Sequence, residues 1–256
     1  MDSKLIIKFF RLFFRHCEPG LLRVVVLKYS PGVIEDRRVR IAYRKDAEKL
    51  DFKVPEDIDK LPKIFEEFKN PPDIPWHLTP HLYFRPFLLG RQGEISSIPC
   101  LWMDCDKFTP DIEAKLNTFR PPSIILQTSP QRCHFFWILK HPLEPKESDA
   151  IIKIHQRLAK AFGGDSLPTW NLDYVSRVPG SINMKHCIKK YWNEDPFGGI
   201  PPNAFEVTYS ATQEEFELGD FGGLLYLTLT DHLRSFMRLT AWWRGEQGNA
   251  GLVNKI

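Results

Sequence analysis

The sequence predicts an α+β protein built around one main sheet. Two kinds of pattern recur along its 256 residues. Short apolar runs bounded by turn residues are typical of strands, whereas longer segments with apolar residues three or four apart are typical of helices. Several strand patterns follow one another with only a few turn residues between them, which indicates hairpins. A mixture of this kind is characteristic of the α+β class.

The composition is that of a folded protein without a disulfide framework. Hydrophobic residues make up 43% of the chain and charged residues 26%, which excludes a disordered polymer. The formal net charge of +3 is small, so binding to a polyanion would have to come from local basic clusters. The five cysteines are widely spread and include no C-x-x-C pair, which favours reduced thiols in a cytoplasmic protein and no zinc site.

Residues 1–20 are predicted to contain an amphipathic helix. Lys4, Lys8, Arg11 and Arg15 are spaced by four, three and four residues, which places them on one helical face of the greasy segment. These regular charges exclude a signal sequence and a membrane span. Packing of this helix on the core is the favoured interpretation, and binding to a membrane surface is the alternative.

The remaining elements follow from periodicity and turn residues. Strands are predicted at 21–29, 38–43, 81–87, 98–106, 123–128, 133–139 and 190–192. Helices are predicted at 55–69, 109–117 and 147–162, the last of which ends at a pair of glycines. A further helical stretch precedes residue 176, and a strand opens the mostly helical C-terminal extension, 206–256.

Two carboxylates stand at the end of the apolar strand 98–106. Side chains alternate along a strand, so Asp104 and Asp106 point to the same side, roughly 6–7 Å apart. Paired oxygen ligands of this kind suit a hard divalent cation such as Mg²⁺, which is commonly held by one or two carboxylates and substrate phosphates. The alternative is a solvated pair at a strand-to-loop corner, because aspartate favours turns and Lys107 follows directly.

A second group of polar residues lies in the predicted hairpin that follows. Ser129, Arg132 and His134 surround one tight turn, and together with its backbone N–H groups they would make a phosphate cradle. For His134 taken alone, the alternative to a phosphate contact is a structural histidine whose hydrogen bonds are made within the sheet. Asp165 comes later, directly after the end of the helix predicted at 147–162.

A third group surrounds the Pro-Gly turn of the segment 177–185. Cations and short hydrogen-bonding side chains about a glycine turn suit a triphosphate, although an ordinary basic loop has the same composition. The candidate residues are Arg177, Ser181, Asn183 and Lys185.

The order of these motifs resembles that of the archaeo-eukaryotic primase superfamily. A D-x-D strand is followed by a T-S-P-x-R-x-H hairpin, a helix, a G-G-D sequence and the segment R-V-P-G-S-x-N-x-K. The resemblance runs from residue 101 to residue 185 and is strongest to RepB-like plasmid and phage primases and to CRISPR-associated primase-polymerases. Two features depart from the family: Pro130 and Gln131 stand where many relatives are glycine-rich, and the zinc ligands of some primases are absent from the sequence.

The resemblance implies a fold and a division of the chain. Members of the superfamily have an RRM-like antiparallel sheet packed against a second α/β subdomain, with the active site between them. On this basis the primase-polymerase catalytic core is expected at 21–205, between the helix of 1–20 and the extension 206–256.

The resemblance also implies roles for the motif residues. Asp104 and Asp106 correspond to acids that ligate two Mg²⁺ or Mn²⁺ ions, and the third acid is assigned to Asp165, with Asp173 as the competing assignment. Ser129 and His134 match residues that contact the phosphates of the incoming nucleotide. The other nucleotide-binding residues are expected to be Arg132, Arg177, Ser181, Asn183 and Lys185, and the DNA-binding residues Arg85 and Arg91.

The implied function is that of a DNA primase-polymerase. Such an enzyme makes primers de novo on single-stranded DNA and extends them from NTPs or dNTPs by two-metal nucleotidyl transfer. The expected partners are the template and the nucleotides, with a helicase or CRISPR adaptation proteins as further candidates and no membrane. A non-catalytic, DNA-binding replication initiator is the alternative, and loss of the acid triplet would mark it. A metal-dependent nuclease is a further alternative, but in such an enzyme the triphosphate-type loop at 177–185 would have no function.

Overall fold

The computed structural model describes residues 3–27, 48–67, 81–165, 172, 174–183, 204–212 and 214–222. The helices in these stretches are α1 (Ser3–Phe13), α2 (Leu61–Glu67), α3 (Pro110–Phe119) and α4 (Ser148–Phe162). The strands are β1 (Gly20–Leu27), β2 (Glu48–Val54), β3 (His81–Leu89), β4 (Ile95–Cys105), β5 (Ile124–Ser129), β6 (Arg132–Leu143), β7 (Ser176–Arg177), β8 (Ile182–Asn183), β9 (Phe205–Glu206) and β10 (Thr208–Ala211). The strands predicted at 38–43 and 190–192, and the helical part of the C-terminal extension beyond residue 222, lie outside the described residues.

One large antiparallel sheet organises the protein. Its strand order is β10-β5-β6-β4-β3-β1-β2, and β7 pairs with β3 beside this row, while β8 and β9 form a separate two-stranded sheet. All pairings between the named strands are antiparallel. The predicted α+β class and the antiparallel sheet are therefore confirmed.

The sheet opens between β3 and β4. These two strands pair only near their connecting turn, at Leu88 with Ser97 and at Leu89 with Ile95. Beyond Ser97, β4 continues alongside β6, whereas β3 continues alongside β1 and β7. The curled sheet thus has two halves that separate from each other as they leave the β3–β4 turn. The segment that carries β7 belongs to the β3 half and, as shown below, contacts the β6 half.

Helix α1 packs across both halves of the sheet, as the amphipathic pattern predicts. Phe9, Phe10 and Phe13 are fully buried. All three ring centroids lie 5.2–5.5 Å from that of Phe84 on β3, and the ring of Phe13 also lies 5.1 Å from that of Phe136 on β6. Edge-to-face aromatic pairs of this kind add about 0.5–1.5 kcal/mol each beyond the burial of apolar area. No helix among the described residues is long and apolar enough to cross a membrane.

Strand β2 was missed from the sequence, and the helix predicted at 55–69 begins later than expected. The strand alternates charged residues with Leu50, Phe52 and Val54, and Phe52 and Val54 are buried. After it, the Asp57 carboxylate accepts a hydrogen bond from the backbone N–H of Lys53, 2.9 Å away, and closes a turn. This turn takes up the first residues of the segment that was predicted to be helical. A short 3₁₀ helix at Ile58–Lys60 comes next, and α2 follows it.

Helix α4 buries a histidine that has no charge partner. The ring of His155 is 0% exposed and its centroid lies 3.9 Å from that of Trp102 on β4. Neither ring nitrogen has a hydrogen-bond partner within the described part of the chain. Burial lowers the pKa of His155 to about 3, since a charged imidazolium would lose its hydration without compensation.

His155 should make the protein sensitive to acid. An unfolded histidine has a pKa near 6.5, so between about pH 6.5 and pH 3 the unfolded chain binds a proton that the folded chain does not. The free energy of unfolding therefore falls as the pH drops, by about 2 kcal/mol between pH 7 and pH 5 from this residue alone. Urea unfolding at both pH values should show that His155→Leu removes this loss. His141→Gln is the matched control because the His141 side chain is 85% exposed; an unchanged pH dependence in His155→Leu would contradict the expectation.

Candidate active site

Asp104 and Asp106 lie across from two side chains of β6. Asp104 pairs directly with His134 in the β4–β6 register, and its Oδ1 lies 3.5 Å from His134 Nε2. Two residues further, Oδ1 of Asp106 lies 2.9 Å from Nη1 of Arg132. The two acids are two residues apart, and so are their partners. Because side chains alternate with a period of two on both strands, each acid lies opposite one partner. The Asp104 side chain is 16% exposed and that of Asp106 46% exposed, so this pair lies where the protein meets solvent.

His134 is held by two hydroxyl groups from the segment 174–177. Its Nδ1 lies 2.7 Å from Ser176 Oγ. The hydroxyl oxygen of Tyr174 lies 2.9 Å from Nε2 and 3.4 Å from Nδ1 of the same ring. Burial lowers the pKa of His134, against the opposing effect of the Asp104 charge, and burial together with Asp104 raises the pKa of Tyr174 well above its usual value. The site thus brings together the His134 imidazole, the hydroxyls of Ser176 and Tyr174, and the Asp104 side chain.

The backbone of Asp165 is joined to that of Asp104. Helix α4 ends at Gly163, whose φ of +73° is the left-handed conformation expected of a C-cap glycine. The Asp165 N–H then donates to the Asp104 carbonyl oxygen over 2.8 Å. A Cβ atom on Gly164 would lie 2.5 Å from Met103 Cγ and 2.8 Å from the same carbonyl oxygen. Only glycine fits between the end of α4 and β4, and this close approach brings the third predicted acid beside the first.

Arg177 contacts residues of β3. It is 5% exposed, its Nη1 donates to His81 Nδ1 over 2.9 Å, and its guanidinium carbon lies 4.8 Å above the Tyr83 ring. Burial lowers the pKa of His81 well below its usual value, and the charge of Arg177 lowers it further. His81 is therefore a neutral acceptor for this buried cation.

The Pro-Gly turn joins β7 to β8 and is fixed by its own polar groups. Gly180 has a φ of +77°, as a type II turn with proline at its second position requires. Ser181 Oγ donates to the Val178 carbonyl oxygen over 2.6 Å, and Asn183 Nδ2 donates to the Thr128 carbonyl oxygen over 2.6 Å. Ser181 and Asn183 are both 4% exposed. Asn183 thereby ties this turn to the β5–β6 hairpin, which carries His134.

Residues 89–202 match the family model described as the RepB DNA-primase N-terminal domain. This segment is therefore similar to the RepB primase family. The fold agrees: the primase-polymerase (PrimPol) of cyanophage S-2L, in its archaeo-eukaryotic primase domain, has a TM-score of 0.56 at 15% identity, over 88% of this chain and 97% of that one. The sequence resemblance to this superfamily is thus confirmed.

Two further solved structures share the fold of this chain. Primase RepB′ aligns with a TM-score of 0.54 at 10% identity, over 96% of this chain and 69% of that one. The catalytic domain of primase RepB′ in complex with initiator DNA aligns with a TM-score of 0.52 at 10% identity, over 90% and 97% of the two chains. No curated protein matches the sequence.

The other predicted site residues differ in how deeply they are buried. Ser129 is 2% exposed, beside the two-residue turn of the β5–β6 hairpin. Arg85 is half-buried on β3, with its guanidinium carbon 5.5 Å from the Phe87 ring centroid, and Arg91 is exposed at the β3–β4 turn. Lys185 and the alternative third acid, Asp173, lie outside the described residues.

The donor set of the candidate site has the right chemistry for a hard divalent cation. Carboxylate oxygens are the ligands that Mg²⁺ and Mn²⁺ favour, and Asp104 and Asp106 present them on a partly exposed surface. As the side chains lie, no three acids, histidines or cysteines of the described stretches converge as a metal cage. Arg132 and His134 face the carboxylates instead, so an ion would compete with Arg132 for Asp106.

Sequence reasoning missed three residues of this site, namely His81, Tyr174 and Ser176. His81 contacts Arg177 because β7 pairs with β3, and that pairing joins residues almost a hundred positions apart. Tyr174 and Ser176 did leave a local signal. They stand two residues apart in an extended segment next to the arginine of a motif. Side chains with this spacing on an extended chain point to the same side.

Proposed function

We propose that the protein is a DNA primase-polymerase that makes primers on single-stranded DNA and extends them from NTPs or dNTPs. The observation that carries this proposal is the juxtaposition of Asp104 and Asp106 with His134 and Arg132, with Asp165 bonded to the Asp104 backbone. The match to the family model supports the same conclusion, since residues 89–202 are similar to a DNA-primase domain. Carboxylates beside phosphate-binding cations are the arrangement that nucleotidyl transfer requires.

Asp104, Asp106 and Asp165 are the residues that would hold two Mg²⁺ or Mn²⁺ ions. Bound ions of this kind lower the pKa of an attacking 3′-hydroxyl and neutralise the leaving pyrophosphate. The chain's own part is to position the reactants, since phosphoryl transfer needs little covalent help. The Asp165 N–H donates to the Asp104 carbonyl oxygen, so the backbones of the two residues are adjacent, which supports assigning Asp165 to the same site.

Basic and hydroxyl side chains would orient the triphosphate. Arg132 and His134 already lie at the carboxylates and would turn to the phosphates when an ion takes their place. Arg177 is buried, so its charge acts through a medium that screens it less than water does. Ser129, Ser181 and Asn183 are buried where the hairpin meets the Pro-Gly turn, and we assign them to shaping the phosphate cradle; Lys185 completes the proposed set.

Template binding is the second half of the proposal. A relative of the same fold, the catalytic domain of primase RepB′, is known in complex with initiator DNA. Arg85 and Arg91 lie on β3 and at its turn, where they would contact the phosphates of a template strand. A helicase or CRISPR adaptation proteins are the further partners that such an activity would serve.

The test is primer synthesis on a defined template. The protein is incubated with single-stranded DNA, labelled nucleotides and Mg²⁺ or Mn²⁺, both with and without an annealed primer. New oligonucleotides without a primer are the expected result. Extension of the annealed primer alone would make the protein a polymerase that needs a partner for initiation. No product in either reaction, together with DNA binding in a mobility-shift assay, would identify a non-catalytic initiator and contradict the proposal.

A further inference from the structure

The exposed side of helix α4 carries a stripe of positive charge. Lys153, Arg157 and Lys160 are spaced by four and three residues, which places them on one face of the helix together with Gln156. Lys153 and Lys160 are exposed and Arg157 is half-buried, whereas the opposite face, which includes Leu158, packs in the core. We call the surface formed by the two lysines, the arginine and the glutamine the α4 stripe.

The positive charges of the α4 stripe are not offset by acids. The single acid of this helix is Asp149, in its first turn, where the helix dipole favours a negative charge. Neither Lys153 nor Arg157 forms an ion pair with any residue that the structure describes. Exposed helix faces commonly mix both signs, as on α1, where Arg11 pairs with Asp59. A face with positive charge alone is what binding to a polyanion requires.

The α4 stripe leads to the candidate active site. The helix ends at Gly163, and the Asp165 N–H then donates to the Asp104 carbonyl oxygen over 2.8 Å. Since a helix rises about 1.5 Å per residue, Lys160 lies about 5 Å and Lys153 about 15 Å along the axis from Gly163. One strand of stacked DNA carries a phosphate every 3.4 Å or so, and the stripe, about 10 Å long, can therefore contact about three successive phosphates.

The neighbouring helix α3 leaves the α4 stripe uncovered. It contacts α4 through the rings of Phe119 and Phe162, whose centroids lie 5.5 Å apart. Phe162 points away from Lys160, because residues two apart on a helix are turned by about 200°. The exposed side of α3 itself mixes the two signs, since Asp111 stands four residues before Lys115. The surface with positive charge alone is therefore specific to α4 within this pair of helices.

We propose that the α4 stripe binds the phosphate backbone of the single-stranded DNA template and leads it to Asp104 and Asp106. This inference rests on the proposed function, which makes single-stranded DNA the polyanion that must reach these acids. The acids themselves repel DNA, so a basic surface directly beside them offsets that repulsion. Lysine and arginine contacts with phosphates position a strand without reading its sequence, and the α4 stripe contains no aromatic side chain on which a base could stack.

A double variant tests the α4 stripe. Lys153→Gln/Arg157→Gln removes two positive charges but keeps residues that favour a helix. Fluorescence anisotropy with labelled oligo(dT) of about 20 nucleotides gives Kd between about 50 and 300 mM NaCl. Each phosphate contact on a single strand contributes about 0.7 to the slope of log Kd against log salt concentration, so the slope should fall by about 1.4 and binding at 0.1 M salt should weaken about 10- to 25-fold.

The matched control is Lys63→Gln/Lys115→Gln. It removes the same net charge from exposed lysines on α2 and α3, outside the α4 stripe, and should leave the slope unchanged. Two further readouts separate template binding from nucleotide binding. In the stripe variant, the KM for the template in primer extension should rise, whereas calorimetry with dATP and Mg²⁺ should show wild-type affinity.

Four results would overturn the inference. They are no binding of oligo(dT) by the wild type, an unchanged salt slope in the stripe variant, an equal loss in the control variant, and weaker dATP binding in the stripe variant. The last would mean that the substitutions disturb the active site itself. Absence of primer synthesis by a wild-type protein that binds oligo(dT) through the α4 stripe would instead refute the proposed function and leave this surface established.

Discussion

Replacement of Asp104 or Asp106 by asparagine is expected to abolish primer synthesis while the protein remains folded. Each change removes a negatively charged oxygen ligand but keeps the size of the side chain. Metal binding is therefore weakened, whereas packing is not changed. The ion pair of Asp106 with Arg132 involves exposed side chains, and such pairs contribute only about 0–1 kcal/mol to stability. Primer synthesis and thermal unfolding, measured side by side for both variants, check this expectation.

The control for these variants is Asp111→Asn. Asp111 is an exposed acid in the first turn of α3, outside the proposed site, and its loss should leave synthesis unchanged. Full activity in either Asp104→Asn or Asp106→Asn would remove the acid pair from the mechanism. A large drop in the unfolding temperature of these two variants would mean that the lost activity reflects lost structure.

Substitution of Gly164 is expected to damage both stability and synthesis. In Gly164→Ala the new methyl group meets Met103 Cγ at 2.5 Å and the Asp104 carbonyl oxygen at 2.8 Å, distances that require the backbone to move. Overpacking of this kind costs about 1–3 kcal/mol. The movement separates Asp165 from Asp104, and a shift of about 1 Å in a catalytic group lowers the rate about 100-fold. Urea unfolding and the primer-synthesis assay measure the two effects.

Gly219→Ala provides the comparison, because a Cβ atom at Gly219 meets nothing within 4 Å. It should leave both the free energy of unfolding and the rate of synthesis close to the wild-type values. If Gly164→Ala were equally harmless, the close contact between the end of α4 and β4 would have no part in placing the third acid.

Local patterns in the sequence predicted most of the elements that surround the site. The helix α4 and its glycine C-cap, the strand that ends in Asp104, and the hairpin that carries His134 all leave short-range signals of periodicity or turn chemistry. Strand β2 also leaves such a signal, since charged and apolar residues alternate along it. The strand was nevertheless missed because it is rich in charged residues and stands directly before a predicted helix. Boundaries were less predictable, since the Asp57 side chain, and not helix propensity, decides where α2 begins.

The polar contacts of the site were less predictable than its elements. The sequence assigned Arg177 to the triphosphate from its place in a motif, whereas the structure shows its guanidinium bonded to His81 and stacked on Tyr83. Those contacts depend on the pairing of a two-residue strand with β3, which no local pattern encodes. The same holds for Asp165, whose position beside Asp104 results from a backbone hydrogen bond between the loop after α4 and β4.

The span of residues matched by the primase family model leaves out part of the observed fold. Residues 89–202 contain the acid pair and His134, but they begin at the last residue of β3 and include neither β1 nor α1. A fragment trimmed to that span would lose most of the strand on which β7 rests, and it would lose Phe13, whose ring contacts Phe84 on one half of the sheet and Phe136 on the other. The N-terminal helix therefore contributes to the packing that holds the two halves of the sheet, and with them the proposed site residues, in their relative positions.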